Sequence, residues 1–444
     1  MKPSLLSAQI KKLLDLIQTS FWFVPVLCIF TSFLAVYFCY QLDKSLWQTN
    51  NSILKTLYNI SPDNASSLLS SIATSVITMT SIAFSMIVVT LTLASSQFGP
   101  RLLRTFMQDK KNQWALGSLV ATFSYCLALI RLASTNQDSG FVPGIGLTLA
   151  SILAVIAVFI LVFLIHHVAV SIQAESVVAQ CWQCLKKDID RLFPAAQNKE
   201  QHSHHTLVWD KNLSPHPLIS QHNGYIQLID YQGLMAALEQ HHAGAELDIK
   251  SGNYVIAGQC IGTLYWPDDK QEQPPKDLLN SHLVSGKNRT PIQDPEFAIN
   301  QLVEIALRAL SPSINDPFTA ILCINRLGSA LRKTAERSFP ETLLFDSNNT
   351  IRIKRNVVDY QGLVKAACDQ IRQNSMPHPS VVIAFIDMLT QVATNLKRVN
   401  YQHALVEQAQ MIVDGACNDK LHPNDQQDII SKLQTIHAAV NSNH

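Results

Sequence analysis

The sequence predicts a membrane α-helical region of four transmembrane helices joined to a cytoplasmic α+β region, and three observations carry that class. Every segment long and apolar enough to cross a bilayer precedes residue 170 of the 444. Past that point hydropathy falls, and short apolar runs between closely spaced glycines mark a small β-rich module over 206–278. Amphipathic helical periodicity then fills 279–444 as a C-terminal helical domain.

In the first segment, 1–20, a helix would carry Leu6, Ile10, Leu13, Leu14 and Ile17 on one side and Lys11, Lys12 and Asp15 towards the other, an amphipathic float on the membrane surface. The transmembrane domain, 21–170, holds spans near Phe21–Tyr40, Leu68–Ala94, Trp114–Leu132 and Val142–Ile165. The first is expected to be a retained helix, because its core is longer than a signal peptide's and no A-x-A-like cleavage site follows. Basic residues set the orientation. Lys2, Lys11 and Lys12, then Arg101, Arg104, Lys110 and Lys111, then Lys186, Lys187 and Arg191 lie on one side. The opposite loops are poorer in them, holding Asp43, Lys44, Lys55 and Asp63, then Arg131 and Asp138. Both termini and the C-terminal half are therefore expected in the cytoplasm.

From Ser66 to Ser96 the second span carries fourteen Ser and Thr residues. On a helix, Ser67, Ser71, Thr74, Thr78, Ser81, Ser85, Thr92 and Ser96 fall within roughly 40° of one line, and Val89 interrupts it. A hydroxyl stripe crossing lipid should face another helix or water held inside an assembly. One reading makes it a close-packing face whose hydroxyls bond carbonyls one turn back. The other makes it the lining of a polar pore, with Val89 near a constriction.

The span ends at Gly99-Pro100, which places Arg101 and Arg104 at its inner mouth. His166 and His167 close the fourth span; they are read as interfacial polar residues or, because imidazole titrates near neutrality, as pH sensors. Residues 171–205 read as a helical continuation and then a polar linker, whose His202, His204 and His205 lack metal-ligand spacing. In the β-rich module, Gly224–Asp230 alternates like a strand and Tyr231–His242 like a short helix. Ile249–Leu264 resembles the turn-strand pattern of biotinyl and lipoyl-type barrel-sandwich folds, with no lysine at a hairpin tip, so the resemblance implies fold alone.

In the helical domain, Asp294-Pro295 and Asp316-Pro317 put Asp at an N-cap and Pro at the first helical position, the two starts of an αα-hairpin around Ser311–Asn315. Further helices are expected near Tyr360–Gln373, Pro379–Val399, His403–Asp414 and Asp425–Val440. Arg308, Asn315, Asp316 and Thr319 form the most concentrated polar motif, open to two readings. Free N–H groups at the helix start would take a small anionic ligand; otherwise Asp316 caps the helix and Arg308 pairs with Glu304.

Composition narrows the function classes. Apolar residues make up 47% and the net charge is +1, without the basic excess that nucleic-acid binding uses. The nine cysteines are expected to be reduced thiols. Cys181-x-x-Cys184 lies in a helical run rather than at a helix start following a strand, where a redox pair sits. No G-x-x-x-x-G-K-S/T, G-x-G-x-x-G after a strand, G-x-S-x-G or H-E-x-x-H occurs. No enzyme, cofactor or metal centre is predicted.

Five stretches together, Ser20–Pro25, Ala94–Arg104, Ile165–Val168, Arg289–Phe297 and Ala309–Ala320, resemble a large bacterial family of predicted membrane proteins, domain of unknown function 2254. The resemblance covers nearly the whole chain. It implies a bacterial inner-membrane location and supplies no activity. The expectation is a homo-oligomeric channel or channel-like pore lined by the stripe, with Arg101 and Arg104 biasing it to anions and the cytoplasmic part gating it. Its partners would be the lipid bilayer, further copies of itself, and a small ion or cytoplasmic ligand. The competing class is a membrane-anchored sensor or scaffold without transport.

Overall fold

A computed structural model describes residues 21–47, 60–99, 106–107, 109–135, 142–195, 209, 212–268, 274–275, 277–418 and 421–441. The surface helix expected at 2–20, Arg101, Arg104 and the three linker histidines lie outside the described residues. The chain divides into two compact units, 1–176 and 177–444.

The first unit contains four apolar helices of membrane-crossing length: α1 (Phe23–Trp47), α2 (Pro62–Phe98), α3 (Lys110–Thr135) and α4 (Gly144–Ser171). α3 is the hub and packs against the other three. Small residues permit this. A Cβ on Gly117 would stand 3.2 Å from the Pro25 backbone of α1, and one on Gly146 would stand 2.9 Å from Leu129. α2 begins at Ser61, whose hydroxyl accepts from Asn64 N, with proline in its first turn, and it stops at Gly99.

α1 outruns its apolar segment, and this corrects the placement of Asp43 in a loop. Asp43 is fully buried within α1 and accepts from the backbone N–H groups of Ile145 (2.9 Å) and Gly146 (3.1 Å). Those are orphan donors of the first turn of α4, where Pro143 provides no side-chain cap. A carboxylate near a helix N-terminus also meets its positive end.

The boundary between the units falls within α5 (Ala174–Leu192), whose Val177, Val178, Cys181, Leu185 and Ile189 recur at helical spacing and are buried. Cys181 lies on that face and Cys184 is exposed, so the two thiols look different ways. Burial pushes the Cys181 thiol up to about 12.

Two open sheets follow. Strands β1 (Leu213–Ile219), β2 (Gly224–Ile229), β3 (Gly244–Leu247), β4 (Tyr254–Val255), β5 (Cys260–Pro267) and β6 (Leu283–Gly286) accompany α6 (Tyr231–His241), capped by Asp230. β7 (Leu343–Phe345) and β8 (Ile351–Arg355) come from deep in the region expected to be helical. The larger sheet has the order β1-β5-β3-β8-β7 and the smaller β4-β2-β6. β8 lies parallel to β3, pairing Ile353 with Ala245, while the other ladders are antiparallel. Neither sheet closes, so the barrel-sandwich expectation finds no support: β3 takes β8 as its second neighbour instead of a strand of its own module. Ile226, Ile229, Leu234, Leu238, Leu264, Trp266 and Ile353 share the core.

The helical part contains α7 (Glu296–Ala309) and α8 (Pro317–Ala335) as the expected hairpin, then α9 (Tyr360–Ser375), α10 (Pro379–Thr394), α11 (Val399–Asn418) and α12 (Pro423–Asn441). α10 is apolar on most sides and is the centre, packed by α8, α11 and α12.

Asp43→Ala is expected to cost the membrane unit about 1–3 kcal/mol by leaving buried donors unpaired, read as a lower thermal midpoint in detergent; Asp43→Asn, which keeps one acceptor, should lose less. Iodoacetamide at pH 8 should label the exposed Cys184, Cys260 and Cys417 and spare Cys181, Cys323 and Cys368 until the chain is unfolded. Burial also disfavours the Cys181 thiolate, the form that iodoacetamide attacks.

Candidate functional site

α2 has two faces of opposite use. Ala65, Leu69, Ala73, Val76, Thr80, Ala83, Ile87, Thr90, Ala94 and Phe98 recur every three or four residues and are buried against the unit's own helices. The hydroxyl line lies on the other side. Ser67, Ser71, Thr74, Thr78, Ser81, Ser85, Val89, Thr92 and Ser96 are all exposed, so the structure brings the nine together on one face directed away from the chain's own bundle. At 1.5 Å per residue the 37-residue helix is about 55 Å long and the stripe about 44 Å, longer than a hydrocarbon core of about 30 Å.

Six of the eight hydroxyls commit their protons locally. Ser71 donates to Ser67 O (2.9 Å), Thr74 to Ser70 O (2.9 Å), Thr78 to Thr74 O (2.8 Å), Ser81 to Ile77 O (2.9 Å) and Thr92 to Val88 O (3.0 Å). Ser96 donates three residues back, to Leu93 O (2.9 Å). Each oxygen keeps lone-pair capacity facing outward. Val89, 55% exposed, is the apolar interruption, flanked around the helix by exposed Ile82, Phe84 and Leu93.

His166 and His167 part company. His166 is exposed. His167 Nε2 lies 2.6 Å from Asp109 Oδ2, and its ring stacks on Phe163. Asp109 also accepts from Lys111 N at the start of α3 (2.9 Å), so one carboxylate caps α3 and ties it to the end of α4. Neither this partner nor Asp43 was read from the sequence. An Asp just ahead of a helix is a visible start signal, but a histidine 58 residues away is not.

The motif around the α7–α8 turn is occupied by itself. Asp316 Oδ1 accepts from Thr319 N (3.0 Å) and Oδ2 from Thr319 Oγ1 (2.5 Å). Asn315 is exposed with φ 50°, and Arg308 lies 3.8 Å from Glu304. Arg308 and Asp316 thus stand in the arrangement of an intrahelical pair and a helix cap.

The stretch Arg289–Phe297 also turns inward. Asp294, 1% exposed, accepts from Arg289 and from Glu296 N; Glu296 in turn pairs with Lys250 (2.7 Å) and Arg289 (3.2 Å). Burial pushes the Asp294 carboxyl up, while Glu296 is held low, its own burial outweighed by Lys250 and Arg289. Two acids and two bases balance. At Gly252, with φ 95°, a Cβ would stand 2.6 Å from Asp294 Oδ2, so glycine lets the 250–253 turn close on the start of α7. Among the described residues, no three His, Cys, Asp or Glu side chains converge as metal ligands would.

No solved structure matches the chain. An uncharacterized protein of Mycobacterium bovis and one of Mycobacterium tuberculosis are each 28% identical over 414 residues, covering 91% of this chain and 78% of the relative. Residues 18–391 match the family described as "Predicted membrane protein (DUF2254)". With four apolar helices and a match over most of its length, the chain belongs to that family of predicted membrane proteins.

Proposed function

We propose that the protein is a homo-oligomeric channel or channel-like pore of the bacterial inner membrane, in which copies of α2 turn their hydroxyl faces toward a shared polar path. The reading is carried by one observation: the stripe lies opposite the face that packs α2 into its own bundle. A close-packing role within the subunit would have buried it. Val89 would narrow the path. Arg101 and Arg104 would bias the inner mouth to anions, and the second unit, with both termini, would be cytoplasmic and gate the pore, as the basic flanks suggest.

A second reading, a membrane-anchored sensor or scaffold without transport, is favoured by the back-bonding: a hydroxyl whose proton is taken by its own helix needs no water. In that case the turn bearing Arg308, Asn315, Asp316 and Thr319 would be examined for a cytoplasmic ligand or partner protein.

Ser85→Cys, oxidised in native membranes, is expected to give a disulfide-linked dimer, whereas Ile152→Cys on the exposed apolar α4 should not. Val89→Ser in reconstituted bilayers should raise unitary conductance severalfold by wetting the narrowest point. No cross-link at Ser85 and no unitary currents under any voltage, tension or pH would retire the pore in favour of the anchor.

A further inference from the structure

Two stretches that meet in the second unit are free of Asp, Glu, Lys and Arg. They run from Leu213 to Ile229 and from Ser251 to Pro267, in a chain that is 15% charged. The first holds β1 and β2 and the second β4 and β5, each pair with the turn between them. Period-two alternation sends Leu218 and Val255 into the core and turns Ile219, Tyr254 and Ile256 outward. Those three are exposed to 41%, 54% and 59%.

The two turns bind each other. Gly258 N donates to Ser220 O (2.8 Å), Ser220 N to Gln259 O (2.9 Å) and Ala257 N to Asn223 Oδ1 (2.8 Å), while Ile256 N donates to Gln259 Oε1 (3.1 Å). These bonds set Ile219 and Ile256 at one tip, and the Tyr254 ring stands edge-on to Tyr225 with centroids 5.1 Å apart. Gly258 has φ 88° and open space where a Cβ would be, so glycine serves the turn alone. With these donors satisfied inside the tip, its apolar side chains ride on a stiff support, which lowers the ordering cost of a contact. The rim is polar: Gln221 and His222 are exposed, and Asp277 accepts from Gln221 Nε2 at the margin.

We propose that this tip is a self-contact site, at which the second units of two copies meet through Ile219, Tyr254 and Ile256. The occupant follows from the charge. A patch that meets itself across a two-fold axis sets each of its charges near the same charge of the other copy, and neither stretch has a carboxylate, ammonium or guanidinium to oppose that. A lipid surface is instead met by apolar groups with Lys or Arg beside them, and both are missing from the two stretches. Three side chains this exposed present on the order of 300 Å², the size at which apolar patches mark contact sites. That is below the ~800 Å² per partner of a standard stable interface. The contact is therefore weak by itself and takes effect where copies share one membrane, which raises their effective concentration. It requires the apolar helices to span that membrane and is independent of conduction.

The test places photoreactive benzoylphenylalanine singly at Ile256 or at Ile430, which is exposed on α12, in the full chain. Unlabelled and isotope-labelled chains are mixed, reconstituted in phosphatidylethanolamine–phosphatidylglycerol vesicles, irradiated and digested, and the cross-links are mapped by mass spectrometry. The expected result is a cross-link from 256 to residues 217–223 or 254–260 of the other copy, with little dimer from 430. Ile219→Lys, which sets like charges face to face, should lower the dimer yield from 256 at least about tenfold. Val399→Lys, at another exposed position of the unit, should leave it unchanged. Cross-links from 256 only to lipid or within one copy, equal dimer from 256 and 430, or a yield indifferent to Ile219→Lys would overturn the self-contact. The Ser85→Cys cross-link, read on separate chains, keeps the two readings apart: its absence counts against the pore, and the tip stands or falls by position 256.

Discussion

A helix that starts inside an apolar bundle must find acceptors for its first N–H groups, and the membrane unit is arranged around how α4 meets that demand. α4 is the most apolar of the four long helices and brings no side-chain cap of its own. The acceptor is Asp43, more than a hundred residues away on α1. Asp43 reaches the start of α4 because α3 stands between close neighbours, with Gly117 admitting α1 and Gly146 admitting Leu129. Tyr125 on α3 then donates to Gly146 O (3.1 Å), binding the same turn from the other side. Without the carboxylate the unpaired donors would have no water to turn to. A residue whose charge reads as a loop signal is thus the polar centre of a dry contact.

The docking of α2 shows that polarity does not choose the packing face. Thr80 and Thr90 are buried and bond their own helix at Val76 O and Met86 O, just as the outward hydroxyls do. Ala65, Ala73, Ala83 and Ala94 distinguish the inner face: four methyl-sized side chains let α3 and α4 approach. The outer face, with Ile82, Phe84 and Leu93 beside the stripe, is too bulky and too mixed to serve the same neighbours.

Elements written in local chemistry were legible from the sequence. Four apolar runs, the Gly99-Pro100 stop and the Asp316-Pro317 start each depend on a few adjacent residues, and each long apolar helix covers most of its run while extending past it. Elements defined by a distant partner were not. β7 and β8 have three and five residues, and β8 is a strand because β3 offers an edge about a hundred positions earlier. That pairing also explains why the glycine-rich run suggested a barrel-sandwich: glycine spacing records turns and close approaches but does not name the neighbour. Asp43 and His167 have the same history, their roles set by groups on other helices. The stripe was legible as a line, whereas its outward direction depended on where the alanines packed.

Within the proposed pore the stripe and the mouth would do different electrostatic work. Hydroxyls that donate to carbonyls one turn back offer outward oxygens only as acceptors. An acceptor surface is suited to water and cations, and would hold an anion poorly unless the protons were released from their backbone partners. On that reading any preference for anions would have to come from Arg101 and Arg104, whose fixed positive charge would raise the local anion concentration. Charge at an aqueous mouth is screened by salt over roughly 8–10 Å, whereas dipoles inside a narrow path are not. Selectivity created at the mouth should therefore weaken as ionic strength rises, and selectivity created by the stripe should persist.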